Sequence, residues 1–355
     1  MNKFIIHTPQ GKKTIGPNQP CFIVAEISGN HGGSYAKACK IVDAAAKVGA
    51  DAVKLQTFKG NTITLDCQSK IFQIKDGGLW DGKSLHQRYE KTHTPWEWHL
   101  KLRKYAESKG LVFFSSPFDY TAVDFLEKIK VPMYKVASLE VADIPLLERI
   151  GKTKKPVIIS RGTSTIADIK LAIKTLKDNG CPALAVLHCV SSYPAKSQEM
   201  NILTIPDITL KFKVVSGLSD HSLGDEISIA AVSLGASIIE KHICLSRKEK
   251  EVDSAFSLEP AEFKSMVDAV RKIEQALGRP TYTATKGEKA AASYRKSLFA
   301  SQDIKKGDKL VFNKNFRSVR PGAGLEPKYY KQVNGMLAKS NIKKCTPLSW
   351  KLITK

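Results

Sequence analysis

The 355-residue sequence contains no long hydrophobic run. A membrane-spanning helix needs about 20 consecutive apolar residues, and no stretch of this chain, which is 42% hydrophobic overall, approaches that length. The apolar run within the first seven residues, Met-Asn-Lys-Phe-Ile-Ile-His, is also too short for the core of a signal peptide. We therefore expect a soluble globular protein of the cytoplasm that has no membrane partner.

The sequence also lacks any Cys-x-x-Cys pair, and its cysteines number seven, which is odd. Several of them, such as Cys21, Cys39 and Cys189, lie within apolar runs. This pattern favours buried free thiols over a disulfide framework or a zinc site.

Acidic residues are scarce relative to basic ones. The chain has 34 Asp and Glu against 56 Lys and Arg, a net charge of +22, so nucleic-acid binding is one hypothesis. The lysines are scattered along helices and loops, however, and basic and aromatic residues are not interleaved in the manner of RNA-binding proteins. The composition favours a basic surface around a site for an anionic small molecule, and nucleic-acid binding is the alternative.

Short apolar segments alternate with helical segments from about residue 21 to residue 280. Ser34 is a predicted N-cap, and Thr94-Pro95-Trp96-Glu97 is a predicted capping box with proline at the first helical position. Eight short strands alternating with helices predict an α/β fold, the parallel (β/α)8 or TIM barrel. The predicted strands are 21–27, 51–56, 111–115, 133–136, 157–160, 184–188, 214–217 and 237–242.

The segments outside this repeat divide the chain further. Residues 1–20 are a predicted arm or hairpin, and the excursion at 58–93, which contains Gly77-Gly78-Leu79-Trp80-Asp81, is a predicted ordered functional loop. The Thr, Ala, Lys and Gly content of 281–293 predicts a linker. Residues 294–355 are a predicted small, mostly β domain with strands at 297–300, 309–312 and 316–319.

The segment from Val214 to Cys244 contains two strand candidates, and each ends in a polar cluster with a histidine, His221 or His242. Consecutive parallel strands bring their carboxyl ends to one face, so both imidazoles can hold one metal ion there. Two ordinary capping or core histidines are the alternative, because single histidines near strand ends are common.

Other polar residues share the carboxyl ends of the strands, which form the catalytic face of such a barrel. Lysines and hydroxyls there suit a phosphate or carboxylate, and Lys54 and Lys135 are not expected to be buried without an anionic partner. Glu26, on a strand adjacent to the eighth, can act near the metal as a base or as an orienting group. These residues predict lyase-like or transferase chemistry that joins a phosphorylated acid to a carbonyl compound. The full set is Glu26, Lys54, Gln56, Ser115, Ser116, Lys135, Ser138, Ser160, His188, Ser219, Asp220, His221, Glu240 and His242.

Six motifs in order resemble the sialic acid synthase family. They are Phe22-Ile-Val-Ala-Glu-Ile-Ser-Gly-Asn-His-Gly, Ala52-Val-Lys-Leu-Gln-Thr, Phe114-Ser-Ser-Pro-Phe, Tyr134-Lys-Val-Ala-Ser, Gly217-Leu-Ser-Asp-His-Ser and Ile239-Glu-Lys-His. The segments from Ser297 and Val319 look like that family's antifreeze-like SAF domain. Gly77-Gly-Leu-Trp, Thr94-Pro-Trp-Glu-Trp-His and Phe256-Ser-Leu with Met266-Val-Asp-Ala-Val-Arg are similar to its pseudaminic acid synthase branch.

The resemblance implies condensation of phosphoenolpyruvate with an open-chain acetamido sugar, with Mn or Mg as the divalent ion. The products are a nine-carbon 2-keto acid and phosphate. In the pseudaminic branch the sugar is a 6-deoxy-2,4-diacetamido hexose, and legionaminic or N-acetylneuraminate synthesis by the same chemistry is the alternative. The implied mechanism has the metal polarise the sugar aldehyde while the enol carbon attacks it, after which water adds and phosphate leaves.

The functional residues of the family match residues from both the predicted barrel and the C-terminal domain of this chain. His221 and His242 match the metal ligands, and Glu26 matches the glutamate near the reacting centre. Lys54, Ser116, Lys135, Ser138, Ser160, Ser191 and Ser219 match the phosphoenolpyruvate contacts. Gln56, Glu140, Tyr193 and Asp253 match the sugar contacts, joined by Arg320, which in the family is delivered from the SAF domain of the other subunit of a domain-swapped homodimer.

Two positions distinguish this chain within the family pattern. Ser160-Arg161-Gly162 replaces the usual Ser-Thr-Gly, so Arg161 either adds a phosphate contact or points away. Ser191 occupies a position where neuraminic acid synthases tend to carry asparagine, which favours the pseudaminic branch. Asp220 has no assigned role beyond orienting its neighbours.

Overall fold

The computed structural model describes residues 3–8, 10–75 and 81–355. The predicted Gly77-Gly-Leu-Trp motif lies outside the described residues. The chain divides into two compact units, one ending at Gly278 and the other beginning at Arg279. None of the helices in the described ranges is long and apolar enough to cross a membrane.

The first unit contains a two-stranded hairpin and a closed barrel of eight parallel strands, which confirms the predicted TIM barrel. The first barrel strand pairs with the last, so that Glu26 lies in register with His242. The hairpin consists of β1 (Phe4–Thr8) and β2 (Gly11–Ile15). The barrel strands are β3 (Phe22–Glu26), β4 (Ala52–Thr57), β5 (Val112–Pro117), β6 (Tyr134–Val136), β7 (Val157–Ser160), β8 (Leu184–Cys189), β9 (Val215–Asp220) and β10 (Ile238–His242).

Helices follow the barrel strands and cover their outer faces. The Ser34 hydroxyl accepts a hydrogen bond from the Lys37 amide and caps the first helix, as predicted. The predicted Thr94 capping box is wrong, because α4 begins after Pro95 and the Thr94 hydroxyl lies 3.0 Å from His31 Nε2. The helices are α1 (Tyr35–Lys47), α2 (Gly60–Ile63), α3 (Leu85–Thr92), α4 (Trp96–Ser108), α5 (Tyr120–Lys128), α6 (Ile144–Gly151), α7 (Ile166–Asp178), α8 (Thr204–Phe212), α9 (Glu226–Ser233) and α10 (Pro260–Leu277).

The pleat of each strand divides its residues between two apolar clusters, because successive side chains point to opposite faces. Outward residues such as Ile23 and Val53 pack against the helices. Inward residues such as Phe22 and Phe114 form a second cluster with Ile6 and Ile15 of the hairpin. The hairpin therefore closes the amino-terminal end of the barrel, which we call the floor, and leaves the carboxyl-terminal end, the mouth, for polar side chains.

The second unit is small and has its own apolar core, which includes Leu298, Phe316 and Leu348. The predicted strand at 309–312 forms only isolated bridges at Lys309 and Phe312, and a short helix lies inside the predicted linker. The elements are α11 (Lys286–Ala291), β11 (Ser297–Ala300), β12 (Phe316–Val319), α12 (Tyr330–Val333), β13 (Leu337–Ala338) and β14 (Ile353–Thr354). From residue 279 onward the sequence has 18 basic and four acidic residues, a net charge of +14, so most of the chain's charge excess belongs to this unit.

Candidate active site

Four buried charged side chains lie next to one another at the mouth. The Lys54 ammonium forms ion pairs with Glu26 and, at 3.6 Å, with Glu240 Oε1, and Lys135 Nζ lies 3.5 Å from the same oxygen. None of the four residues is more than 4% exposed. Without a substrate, the two lysines thus already have the anionic partners that their burial requires.

Glu240 is the member of this cluster that the sequence interpretation left without a role. It belongs to the strand-end set, but it was not matched to a substrate or metal contact. Its Oε1 accepts a hydrogen bond from Ser219 Oγ at 3.2 Å and faces both lysines, while its Oε2 is buried without a hydrogen-bond partner. The spacing in the sequence does indicate its position. Glu240 lies two residues before His242 on the same strand, so the two side chains face the same side of the sheet.

The two carboxyl groups of the cluster differ in their protonation. Burial raises the pKa of Glu26 to about 7, although the Lys54 ammonium opposes this change. Burial also favours the neutral form of Glu240, but Lys135 and Lys54 outweigh it and lower the pKa of that group. One carboxylate therefore stays ionised while the other can exchange a proton near neutral pH, an arrangement that suits acid–base chemistry.

His221 and His242 lie side by side at the mouth, with ring centroids 5.4 Å apart. His221 Nδ1 lies 3.0 Å from the Val190 carbonyl oxygen, which can only accept, so this nitrogen carries the hydrogen and Nε2 is left for a ligand. His242 Nδ1 is buried and has no hydrogen-bond partner in the described part of the chain. Burial, followed by the charge of His221, holds the pKa of His242 well below its usual range and keeps this imidazole neutral.

These two imidazoles fit a divalent metal ion, because their rings lie side by side at the mouth and imidazole nitrogens are common ligands of such ions. In the described parts of the chain, no group of three or more His, Cys, Asp and Glu side chains is arranged to hold a metal. With His221 and His242 as its protein ligands, such an ion would keep other positions open to water or substrate. The Cys189 thiol lies 3.9 Å from His221 Nδ1, the nitrogen on the side of the Val190 carbonyl.

Aromatic rings border the histidines. The Tyr193 ring centroid lies 4.3 Å from that of His221, and the Phe256 centroid lies 4.9 Å from that of His242. These rings reduce the access of water to the imidazoles, and a site with less water strengthens electrostatic interactions.

Serine hydroxyls form a second group at the mouth. Ser138 Oγ and Ser191 Oγ are 2.8 Å apart, and Ser160 Oγ is buried without a hydrogen-bond partner. Gly162 packs directly on Ser138 with φ of +38°, and a Cβ at this position would overlap the serine. With Ser116, whose hydroxyl accepts from Lys54 Nζ at 3.2 Å, and Ser219, these hydroxyls offer donors for an oxyanion.

The residues matched to sugar contacts are less closely grouped. Burial raises the pKa of Glu140 to about 7, and one of its oxygens is buried without a partner. Gln56 is half-buried and Tyr193 is exposed. Asp253 accepts hydrogen bonds from Ser28 Oγ and from the Gly29 amide, which follow β3. Arg320 lies in the second unit, where it is exposed.

Three residues of the predicted strand-end set point outward from the barrel and do not join the site. Ser115 Oγ donates to the Leu55 carbonyl at 2.8 Å, and His188 contacts the Met200 carbonyl. Arg161 Nε donates to His188 Nδ1 at 3.1 Å, so Arg161 points away from the phosphate-binding candidates. Asp220 pairs with Lys241 on the outer face. The physical reason is the pleat, which alternates inward and outward positions within each strand end.

Comparisons with known proteins agree with this architecture. The chain matches the NeuB family over residues 41–282 and the SAF domain over residues 295–354. It is 42% identical to the pseudaminic acid synthase of Campylobacter jejuni over 91% of this chain and 93% of that protein. The N,N'-diacetyllegionaminic acid synthase of the same organism is 35% identical over 90% and 96% of the two chains.

A solved structure extends the similarity to three dimensions. The N-acetylneuraminic acid synthetase of Leptospira borgpetersenii matches with a TM-score of 0.71 and 31% identity, over 81% of this chain and 95% of that chain. The predicted resemblance to the sialic acid synthase family, with its SAF domain, is thereby confirmed.

Proposed function

The chain belongs to the NeuB family of phosphoenolpyruvate-dependent synthases, and we propose that it condenses phosphoenolpyruvate with an open-chain 6-deoxy-2,4-diacetamido hexose to give pseudaminic acid and phosphate. The observation that carries this proposal is the charged cluster of Glu26, Lys54, Lys135 and Glu240 beside two metal-competent histidines. The choice of sugar is supported by the higher identity to the pseudaminic relative, 42% against 35% for the legionaminic one.

Phosphoenolpyruvate binds, in this proposal, to the lysines and hydroxyls of the mouth. Lys54 and Lys135 supply positive charge to its phosphate and carboxylate groups. Ser116, Ser138, Ser160, Ser191 and Ser219 supply hydroxyl donors. Ser160 supports this assignment most directly, because its buried hydroxyl has no hydrogen-bond partner among the residues that the structure describes.

His221 and His242 would hold the divalent ion, Mn or Mg. When bound there, such an ion supplies Lewis acidity toward the sugar aldehyde. The electron pair of the phosphoenolpyruvate double bond forms the bond between its methylene carbon and the aldehyde carbon, and the aldehyde oxygen takes a proton from solvent. Water then adds at the resulting cation, the carbon that bears the phosphate, and phosphate leaves with the second proton of that water to give the 2-keto acid. Glu26 accepts the first proton of that water, a role that its pKa of about 7 supports.

Sugar recognition and assembly complete the proposal. Gln56, Glu140, Tyr193 and Asp253 contact the sugar, and Arg320 of the partner subunit joins them in a domain-swapped homodimer. Apolar side chains in the loops after the barrel strands support a covered mouth, since Leu139, Leu203 and Leu223 are 72%, 73% and 56% exposed. The cytoplasmic location stays a prediction.

A panel of sugars tests the proposed substrate. The protein is incubated with phosphoenolpyruvate, Mn²⁺ and the pseudaminic, legionaminic or neuraminic precursor, and phosphate release is measured. We expect the 6-deoxy-2,4-diacetamido precursor of pseudaminic acid to give the highest kcat/KM. A preference for another precursor would reassign the substrate, and no release with any of the three would refute the proposed reaction.

Nucleic-acid binding is the second candidate, and the charge of +14 from residue 279 onward favours it. It predicts tight binding to generic DNA or RNA that weakens steeply as salt increases. Undetectable binding at low salt would remove it. Salt-sensitive binding without any phosphate release would instead replace the proposed synthase reaction.

A further inference from the structure

A fully buried ion pair lies on the outer wall of the barrel, directly behind the two histidines. Asp220 ends β9 and precedes His221, and Lys241 precedes His242 on β10. Asp220 Oδ2 and Lys241 Nζ are 2.7 Å apart, and both side chains are 0% exposed. Aspartate and lysine are almost never buried completely unless they are paired, so this pair is a specific feature of the wall.

Hydrogen bonds connect the pair to the backbone of Ser222, the residue that follows His221. Asp220 Oδ1 accepts from the Ser222 amide at 2.9 Å and from its hydroxyl at 2.6 Å. Asp220 Oδ2 also accepts from Ser228 Oγ on α9 at 2.7 Å, and Lys241 Nζ donates to the Ser222 carbonyl at 2.7 Å. The chain through His221 is thereby tied to the strand that carries His242.

The position of the pair in the sheet is equally informative. The register between β9 and β10 runs from Leu218 with Ile239 to Asp220 with Lys241 and ends there. His221 follows the end of β9 and His242 is the last residue of β10, and the β9–β10 pairing does not extend to either histidine. The ion pair therefore connects β9 and β10 at the point where their backbone pairing ends, directly before the two histidines.

We propose that Asp220 and Lys241 are positioning residues that set the spacing of His221 and His242 for a divalent ion. This inference rests on the proposed function, because it assumes that these histidines bind the metal. Stability alone does not account for the pair, since apolar side chains of similar volume commonly stabilise a protein interior as well as a buried ion pair does. Partners behind metal-binding histidines tune affinity by orienting them.

Three variants test the proposal through metal binding rather than turnover. Asp220→Asn, Lys241→Met and the double variant D220N/K241M are titrated with Mn²⁺ by calorimetry, at a temperature well below the melting temperature of each. We expect each single variant to bind Mn²⁺ at least about tenfold more weakly than the wild type. The absorption spectrum of bound Co²⁺ should change as well, because the geometry of the two imidazoles changes.

The double variant separates positioning from stability. It leaves no unpaired buried charge, so its melting temperature should exceed that of either single variant. A positioning role predicts that its Mn²⁺ affinity stays at least about tenfold below that of the wild type. Wild-type affinity and an unchanged Co²⁺ spectrum in this variant would overturn the proposal and leave the synthase reaction standing.

An ion pair at the other end of the barrel provides the matched control. Arg271 and Asp51 are 3.0 Å apart beside the amino-terminal end of β4. The variant D51N/R271M should lower the melting temperature and leave the Mn²⁺ affinity within about twofold of the wild type. An equal loss of affinity in this control would overturn the positioning role. If the wild type binds no Mn²⁺, the metal assignment itself fails, and this inference fails with it.

Discussion

The two ends of the barrel are built from the same eight strands and have opposite chemistry. At the floor, inward residues such as Phe22 and Phe114 pack with Ile6 and Ile15 of the hairpin. At the mouth, the same strands present buried charges and polar atoms without partners, among them Ser160 Oγ and His242 Nδ1. Unpaired buried polar groups cost free energy, so of the two ends the floor contributes more to stability, and the mouth is shaped for a ligand.

The largest effect should follow from removing a histidine at the mouth. His221→Ala and His242→Ala should each lower metal-dependent phosphate release at least about 10³-fold, because the loss of a Lewis acid costs several kcal/mol of transition-state stabilisation. Steady-state kinetics with Mn²⁺ measure this effect. Activity retained in both variants would refute the metal assignment. A melting temperature lowered as far as in a floor variant would show that the mouth contributes as much to stability as the floor does.

A floor substitution should have the opposite profile. Phe22→Ala removes a fully buried ring at the start of β3 and should lower the free energy of unfolding by about 3–5 kcal/mol. The activity per folded molecule should stay close to that of the wild type at a temperature where the variant is folded. Chemical denaturation and active-site-normalised kinetics check both expectations. Lost activity with unchanged stability would show that the floor also takes part in function.

The stability of the mouth should depend on pH through Glu26. The folded protein keeps the Glu26 proton up to about pH 7, whereas the unfolded chain releases it near the ordinary value of 4.5. The stabilisation from this proton is therefore complete below pH 4.5 and is lost as the pH rises through 7. Glu26→Gln cannot lose a proton, so its stability relative to the metal-free wild type should rise between pH 5 and pH 8 by on the order of 1–3 kcal/mol. Denaturation curves of both proteins that stay parallel across this range would contradict the assignment.

The smallest effect should come from Arg161, because its side chain lies on the outer face of the barrel and not among the residues of the mouth. Its guanidinium donates to His188 outside the barrel, so Arg161→Thr, which restores the residue usual in the family, should change the KM for phosphoenolpyruvate by less than about twofold. Initial-rate kinetics measure this value. A tenfold increase would show that Arg161 turns inward when phosphate binds.

The sequence was sufficient to predict the barrel because each strand and helix has its own local signal. Residues 157–159 form a continuous apolar run that ends at Ser160, and Ser34 and Gly278 mark the ends of helices. The C-terminal unit was predicted less well, because its strands at Leu337 and Ile353 are only two residues long and carry no periodicity.

The sequence predicted which strand ends carry the candidate site residues, but not which side chains point inward or contact one another. From sequence position alone, Ser115 and Ser116 are equally good candidates for the site. In the structure the pleat points Ser115 outward, where it donates to the Leu55 carbonyl, and Ser116 inward, where it accepts from Lys54. Glu240 was left without a role for a related reason. Its importance depends on contacts with lysines of two other strands, and no local pattern records those contacts.

The junction between β3 and β10 connects the site to the folding of the chain. It pairs Glu26 with His242, residues that are far apart in the sequence, so this closure carries the highest loop entropy of any strand pairing in the barrel. During synthesis, Glu26 emerges long before its partner strand exists. The candidate site is therefore completed only when the last strand closes the barrel, and a chain truncated before residue 238 would contain most of the mouth residues but could not assemble them.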